Sequence, residues 1–427
     1  MATFRLALCL PLLLGLPWLL AAAQEKPKMT AHEVIASVSA APTGATAKAL
    51  ATRLRETFGE EALRKGVVQK DGLTFVWLLA VEGEVAPTVV ELGNWTGKHH
   101  ADGKPLFESA RQEQHPMARL GTSDLYAVVV TLPNHLCFQY EYRVGTRAIE
   151  GDWVQTDEYA VHPDSQPQPG VPKGTVTKYA WKSTVLAGTE RDYWVYVPAQ
   201  YRAEGPPACV MVFQDGGMYV EAGVPTMLDN LIHKGEVPVT VGVFVSAGWI
   251  PGDAGKDRNI RIEEYHDQSD RYARFLTDEL LPEVEKTVKL RHDAAGRAIC
   301  GISSGAVCAF TAAWQRPDLF SKVVCHVGSF VNIRGTYAYP FLIRENPPKP
   351  IRIWLQDGAN DLDDECGSWV LGNRQMAEAL RFRGYDYHYD FGEGFHNLNH
   401  GAATLPDTLR WLWREEGQPP TDTDGHG

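Results

Sequence analysis

After residue 175 the sequence alternates continuously apolar runs with helical patterns, and no other feature restricts the fold as much. RDYWVYVP at 191–198, ACVMVFQ at 208–214, VTVGVFVS at 239–246, RAICGIS at 297–303, KVVCHVGS at 322–329 and IRIWLQ at 351–356 read as strands. Most are apolar at successive positions, the texture of strands covered on both faces. RYARFLTDELLPEVEKTV, at 271–288, follows the capping residues Ser269 and Asp270. SWVLGNRQMAEALRFRG, at 368–384, ends in Gly384, which suits a helix stop. A terminal helix, LPDTLRWLWREE, carries an apolar stripe of Leu409, Leu412 and Trp413. This alternation predicts an α/β fold with a doubly wound, mostly parallel sheet over 175–416.

The earlier part has a different texture. GLTFVWLLAV, PTVVELG, DLYAVVVTL and CFQYEYRV are short Val-, Tyr- and Phe-rich runs divided by Gly, Asn, Asp and Pro. They predict a small antiparallel β-sandwich over 72–165, with DSQPQPGVP at 164–172 as a stiff linker. Residues 24–71 read as a linker and one short amphipathic helix at 46–65, with Leu50, Leu54, Phe58 and Leu63 on its apolar face. Residues 1–23 read as a cleavable signal peptide: Arg5, the apolar run 6–22, then Ala21-Ala22-Ala23. The expected location is therefore secreted or periplasmic, with no membrane association after cleavage. The tail 417–427 is polar and expected to fray.

The net charge of −12 and the lack of a basic stripe argue against nucleic-acid partners and anionic membranes. Beyond Cys9 in the leader, six cysteines remain, at spacings that match no metal or redox motif. Cys209, Cys300 and Cys325 fall in apolar strand-like runs, so most thiols are expected to be free. Asn94-Trp95-Thr96 has the form of a glycosylation acceptor.

Within this frame Gly301-Ile302-Ser303-Ser304-Gly305 is a G-x-S-x-G sequence. It stands between a strand-like and an Ala-rich helical run, as a nucleophile elbow requires. Its spacing puts Ser303 at the apex as the nucleophile, ahead of Ser304. The Ser304 N–H is then one candidate oxyanion donor. The second is expected in Asp215-Gly216-Gly217, after the strand ACVMVFQ, with Gly217 ahead of Gly216. A serine needs a base, and in this fold the chain order is Ser, acid, His. The loop DGANDLDD follows IRIWLQ and offers Asp361, with Asp357 next. After the strand-like YDYHYDF comes HNLNH, where His396 is the favoured base and His400 its rival. His326 and His388 read as core or sheet histidines; His99 and His100 have no acid partner at metal spacing. Trp249, Arg258 and Trp369 fall at strand ends where ligands bind in open sheets, and are candidate substrate contacts.

Taken together, FQDGG (213–217), EYHDQSDRYARFLTDELLPEVEK (264–286), GISSG (301–305), LQDGANDLD (355–363) and GEGFHNLNHGAATLPDTLRWLWR (392–414) resemble the enterochelin-esterase-like proteins. More broadly they are similar to carbohydrate esterases, among them feruloyl and acetyl xylan esterases. The resemblance spans about residues 72–415. It implies Ser303, Asp361 and His396 as a triad and an immunoglobulin-like form for the sandwich. Phe395 stands where such proteins often have glycine before the histidine. The expected activity is two-step hydrolysis of a small-molecule or polysaccharide side-chain ester, without metal or organic cofactor. A siderophore ester would want a cationic pocket, for which Arg258, Arg261 and Arg271 are candidates. The alternatives are a feruloyl or acetyl esterase on plant polysaccharide, an acyltransferase to a sugar, and a non-catalytic glycan-binding protein.

Overall fold

The computed structural model describes residues 28–83, 85–92, 113–252 and 256–415. The expected signal peptide, the Asn94 tripeptide, His99, His100 and the tail 417–427 lie outside them.

Eight strands form two antiparallel sheets before residue 157. They are β1 (Val67–Asp71), β2 (Thr74–Ala80), β3 (Thr88–Leu92), β4 (Gln114–Pro116), β5 (Ala118–Arg119), β6 (Leu125–Thr131), β7 (Leu136–Val144) and β8 (Arg147–Thr156). The sheet orders are β1-β2-β6-β5 and β4-β3-β7-β8. Alternate residues of both sheets meet in one core that includes Phe75, Trp77, Val89, Phe138 and Tyr142. The other face of the first sheet, through Val76, Leu78, Leu125 and Ala127, is covered by three helices.

Those helices correct two expectations. Residues 24–45 are not all linker, because Ala31–Ser39 is helical and buries Val34 and Ile35. Thr30 and Glu33 form a capping box: Thr30 Oγ1 accepts from Glu33 N–H at 3.2 Å, and Glu33 Oε2 accepts from Thr30 N–H at 2.9 Å. The segment 46–65 is two helices, Gly44–Phe58 and Glu60–Lys65, because Gly59 takes φ 82° between them.

The segment 164–172, expected as a stiff linker, is held at its start by buried polar groups of the chain that follows. Asn230 Nδ2 donates to the carbonyls of Asp164 and Gln166, each at 2.8 Å. The Asp164 carboxylate accepts from Lys234 Nζ and Arg410 Nη2. Burial opposes its charge, but these two cations hold its pKa at about 2.

A third sheet has ten strands, and β18 (Asp363–Asp364) and β19 (Gly367–Ser368) form a separate two-stranded pair. β11 (Cys209–Gln214), β12 (Thr240–Val245), β15 (Arg297–Ile302), β16 (Lys322–His326), β17 (Arg352–Asn360) and β20 (Asp386–Phe395) run parallel, in the order β12-β11-β15-β16-β17-β20. At one edge β9 (Thr175–Lys182), β10 (Glu190–Val197), β13 (Trp249–Ile250) and β14 (Arg258–Asn259) pair antiparallel. The sheet is therefore mixed, more so than its apolar runs suggest. β9 and β10 are joined by a short turn, and a short turn permits only antiparallel pairing. Two apolar cores, one on each face, bury the parallel strands. Cys366 is half-exposed and the five other cysteines of the described residues are buried, all as free thiols.

Removing the Asp164 carboxylate leaves Arg410 and Lys234 without their shared acceptor. Asp164→Ala is expected to lower the unfolding free energy by about 2 kcal/mol, less than for a fully buried pair because both cations keep some water. Urea denaturation at pH 7 measures it; an unchanged midpoint contradicts this account of the segment.

Candidate active site

Four neighbouring parallel strands end side by side, and the loop after each contributes to one cluster. Ser303 follows β15, Ser329 follows β16, Asp361 follows β17 and His396 follows β20.

Ser303 is held at φ 57° and ψ −121°, an uncommon backbone for a residue with a side chain. Its N–H donates to the His326 carbonyl at 2.9 Å, and the helix Ser304–Gln315 starts at once. The helix lies so close to β15 that a β-carbon on Gly301 would sit 2.1 Å from the Gly305 carbonyl oxygen. One on Gly305 would sit 2.7 Å from Asp215 Oδ2. Both motif glycines are therefore dictated by packing.

His396 Nε2 lies 2.8 Å from Ser303 Oγ, and its Nδ1 lies 2.6 Å from Asp361 Oδ1. A carboxylate only accepts, so the Nδ1–H donates to Asp361 and Nε2 is left to accept from the serine. Asp361 Oδ1 also accepts the Leu362 N–H at 2.6 Å, which fixes the carboxylate. Ser303 Oγ is 3.1 Å from Ser329 Oγ, which accepts the Trp369 indole N–H at 3.0 Å. The Trp369 ring stands edge-on to His396, 5.6 Å between centroids.

Asp215 turns the chain after β11 in a left-handed conformation, φ 56°. Arg261 grips it with two hydrogen bonds, Nε to Oδ1 at 2.9 Å and Nη2 to Oδ2 at 2.7 Å. The helix Gly216–Glu221 follows. A β-carbon on Gly216 would come 2.3 Å from the Phe244 backbone, whereas one on Gly217 would meet only Trp194 at 3.5 Å. Gly216 is thus a packing glycine. Gly217 and Ser304 lie in first helical turns, where N–H groups have no intrahelical acceptor. Because β11 and β15 are adjacent, these two turns face each other across the Gly305–Asp215 contact.

Burial sets the protonation states. It lowers the His396 pKa to about 4, so the imidazole is neutral at pH 7. It raises Asp361 to about 6, still ionised at pH 7. Asp357 is fully buried in β17, and burial together with the neighbouring Asp361 carboxyl pushes its pKa well above the usual range. It is therefore the neutral member of the pair.

Of the two acids weighed from sequence, Asp361 bonds His396; Asp357 lies behind it. His400 instead meets Gln356 Nε2 through Nδ1 at 3.0 Å and stacks on Tyr159. His326 is fully buried and bonds Tyr219 Oη at 2.9 Å, while His388 stacks on Trp354. Trp369 reaches the cluster as a buried wall. Trp249 and Arg258 lie on the edge strands β13 and β14; β13 is four positions from β15, and Arg258 pairs with Glu263 at 2.7 Å. Sequence reasoning missed Ser329, which the strand-end rule would have flagged after KVVCHVGS. It also missed the role of Arg261, whose partner is 46 residues away.

A serine on a strand–turn–helix elbow, with acid and histidine on the loops after later strands, defines the α/β-hydrolase class. Residues 183–412 match the Esterase family, described as "Putative esterase", and the chain belongs to that family. Among curated proteins it is 25% identical over 259 residues to an iron(III) enterobactin esterase of Dickeya dadantii, covering 56% of this chain and 54% of the relative. The chain thus spans about half the length of that relative. The structure of an enterochelin esterase from Shigella flexneri superposes with TM-score 0.56 at 17% identity, covering 82% of this chain and 95% of the other. A ferulic acid esterase from Anaeromyces mucronatus gives TM-score 0.48 at 17% identity, over 60% and 98% of the two chains.

Histidine NMR provides a direct check on the half-buried imidazole. The His396 ring is expected to titrate near pH 4, well below an exposed histidine near 6.5. A midpoint at or above 6.5 contradicts the burial argument.

Proposed function

We propose that this chain is an exported serine esterase of the enterobactin-esterase type that uses Ser303, His396 and Asp361 as a triad and forms an acyl-enzyme. The observation that carries the reading is the unbroken path from Ser303 Oγ through His396 to Asp361, at 2.8 and 2.6 Å. Neutral His396 takes the serine proton at Nε2 as Oγ attacks the ester carbonyl. The N–H groups of Ser304 and Gly217 stabilise the oxyanion. The imidazolium passes its proton to the leaving alkoxide. Water, activated by the same imidazole, then cleaves the acyl-enzyme and restores the serine. Asp361 holds the tautomer and stabilises the imidazolium. Arg261 acts at one remove, by fixing the Asp215 turn that leads to Gly217.

The apolar run at 6–22 supports export. The strand orders β1-β2-β6-β5 and β4-β3-β7-β8 support an immunoglobulin-like sandwich at 72–165 ahead of an esterase domain at 175–416. For substrate, the Dickeya relative makes enterobactin the first ester to assay. One feature favours a less anionic ester as second reading: Arg258 is neutralised by Glu263 and Arg261 by Asp215. Feruloyl and acetyl esters belong in the same panel.

Ser303→Ala is expected to reduce p-nitrophenyl acetate turnover by at least about a thousandfold and to abolish fluorophosphonate labelling. Turnover that persists in a folded variant rejects the triad. For the parent, kcat/KM is expected to fall below about pH 6 as Asp361 gains a proton, and further near pH 4 as His396 does. A profile flat from pH 7 to 5 would contradict the raised Asp361 carboxyl.

A further inference from the structure

The loop that carries His396 is fastened by residues from outside the esterase sheet. Asn397 Nδ2 donates to Asp157 Oδ2 at 2.8 Å and reaches Gln155 Oε1 at 3.4 Å. Asn399 Nδ2 reaches the same Asp157 oxygen and the Asp157 carbonyl, both at 3.4 Å. Asn397 Oδ1 accepts the Asn399 N–H at 2.8 Å, which directs the Asn397 amide nitrogen toward Asp157. The Asp157 side chain is only 1% exposed. Two residues on, Tyr159 stacks on His400 with 5.0 Å between centroids and 5° between planes. On the other side of His396, a β-carbon on Gly394 would lie 2.8 Å from Tyr159 Oη. The stretch from Gln155 to Tyr159 leaves the last sandwich strand, β8, and touches the histidine loop both before and after His396.

A displacement of about 1 Å in a reacting group can cost about a hundredfold in rate. A histidine on a loop needs its backbone fixed, and Asp361 fixes only the ring. We propose that Asp157 is a positioning residue that, through Asn397, holds the His396 loop in register with Ser303 and so makes the N-terminal sandwich a working part of the active site. This rests on the triad reading above.

The test uses the full chain. Asn397→Asp sets two carboxylates face to face; kcat for p-nitrophenyl acetate is expected to fall by about thirtyfold or more, with KM within about twofold. The rate of fluorophosphonate labelling should fall in parallel. Asp157→Asn alone keeps an acceptor after amide rotation and should retain most activity. The double variant Asp157→Asn/Asn397→Asp restores an amide–carboxylate pair and should recover to within about threefold of the parent. Asn397→Ser removes the contact without repulsion and should lose about tenfold; it serves if Asn397→Asp does not fold, as judged by circular dichroism. Parental kcat in Asn397→Ser, or a defect in folded Asn397→Asp that Asp157→Asn does not repair, overturns the proposal. Ser303→Ala assayed alongside separates the two failures. A dead Ser303→Ala with a fully active Asn397→Ser rejects the clamp alone; an active Ser303→Ala rejects the triad itself.

Discussion

A helix packed so tightly on a strand that no β-carbon fits between them is the constraint on which the site depends. The Gly305 carbonyl oxygen occupies the space that a side chain on Gly301 would need. That contact leaves no room for a gradual turn between β15 and the helix Ser304–Gln315. The reversal falls on one residue, and Ser303 takes a backbone that costs on the order of 1–3 kcal/mol. The surrounding packing holds it there. Ala306, Ala309, Ala312 and Ala313 are buried along this helix, and small side chains let it approach the sheet. The strained turn lifts the serine hydroxyl above the strand ends and leaves the Ser304 amide in an uncapped first turn. One steric fact thus orients both the hydroxyl and an N–H donor.

The second constraint is dielectric. Asp357, Asp361 and His396 all lie in a region poor in water, where charge is expensive. Two adjacent ionised carboxylates there would repel strongly; both are fully buried, but Asp361 accepts from Leu362 N–H and His396 while Asp357 does not, so Asp357 is the one that stays neutral. The same burial disfavours a resting imidazolium, which keeps His396 a base. If Ser303 gave up its proton to His396, Asp361, 2.6 Å away, would stabilise the resulting charge.

This arrangement was legible in the sequence as far as local pattern reaches. Strands buried on both faces leave continuous apolar runs, so five of the six parallel strands stood out that way, and β20 showed only as the strand-like YDYHYDF. The glycines around Ser303 and the chain order of acid and base pointed to Asp361 and His396, the residues the fold brings within hydrogen-bond reach. Pairing direction left no such mark, since an apolar run fits a parallel or an antiparallel neighbour. That is why the edge strands β9, β10, β13 and β14 were not foreseen as antiparallel. The helix at Ala31–Ser39 was missed for a different reason: its Thr30–Glu33 capping box was present, but the Ala- and Pro-rich surroundings masked its short apolar face. The sequence already ranked Asp361 ahead of Asp357, and the contact with His396 at 2.6 Å falls on Asp361.

What sequence could not disclose was the set of partners far apart along the chain. Asp215 and Arg261 are separated by 46 residues, Asp157 and Asn397 by 240. The latter bears on why an esterase domain would retain a sandwich in front of it. An apolar contact between domains tolerates sliding, since burial depends on area rather than direction. A buried carboxylate that accepts from side-chain amides does not tolerate it, because hydrogen bonds weaken steeply with angle. The connecting chain has such polar fastenings at both ends: Asp157 against the histidine loop, and Asp164 against Asn230, Lys234 and Arg410. Directional contacts at both ends fix the register of the segment between them, as a loop that must hold a base near 3 Å from its serine requires.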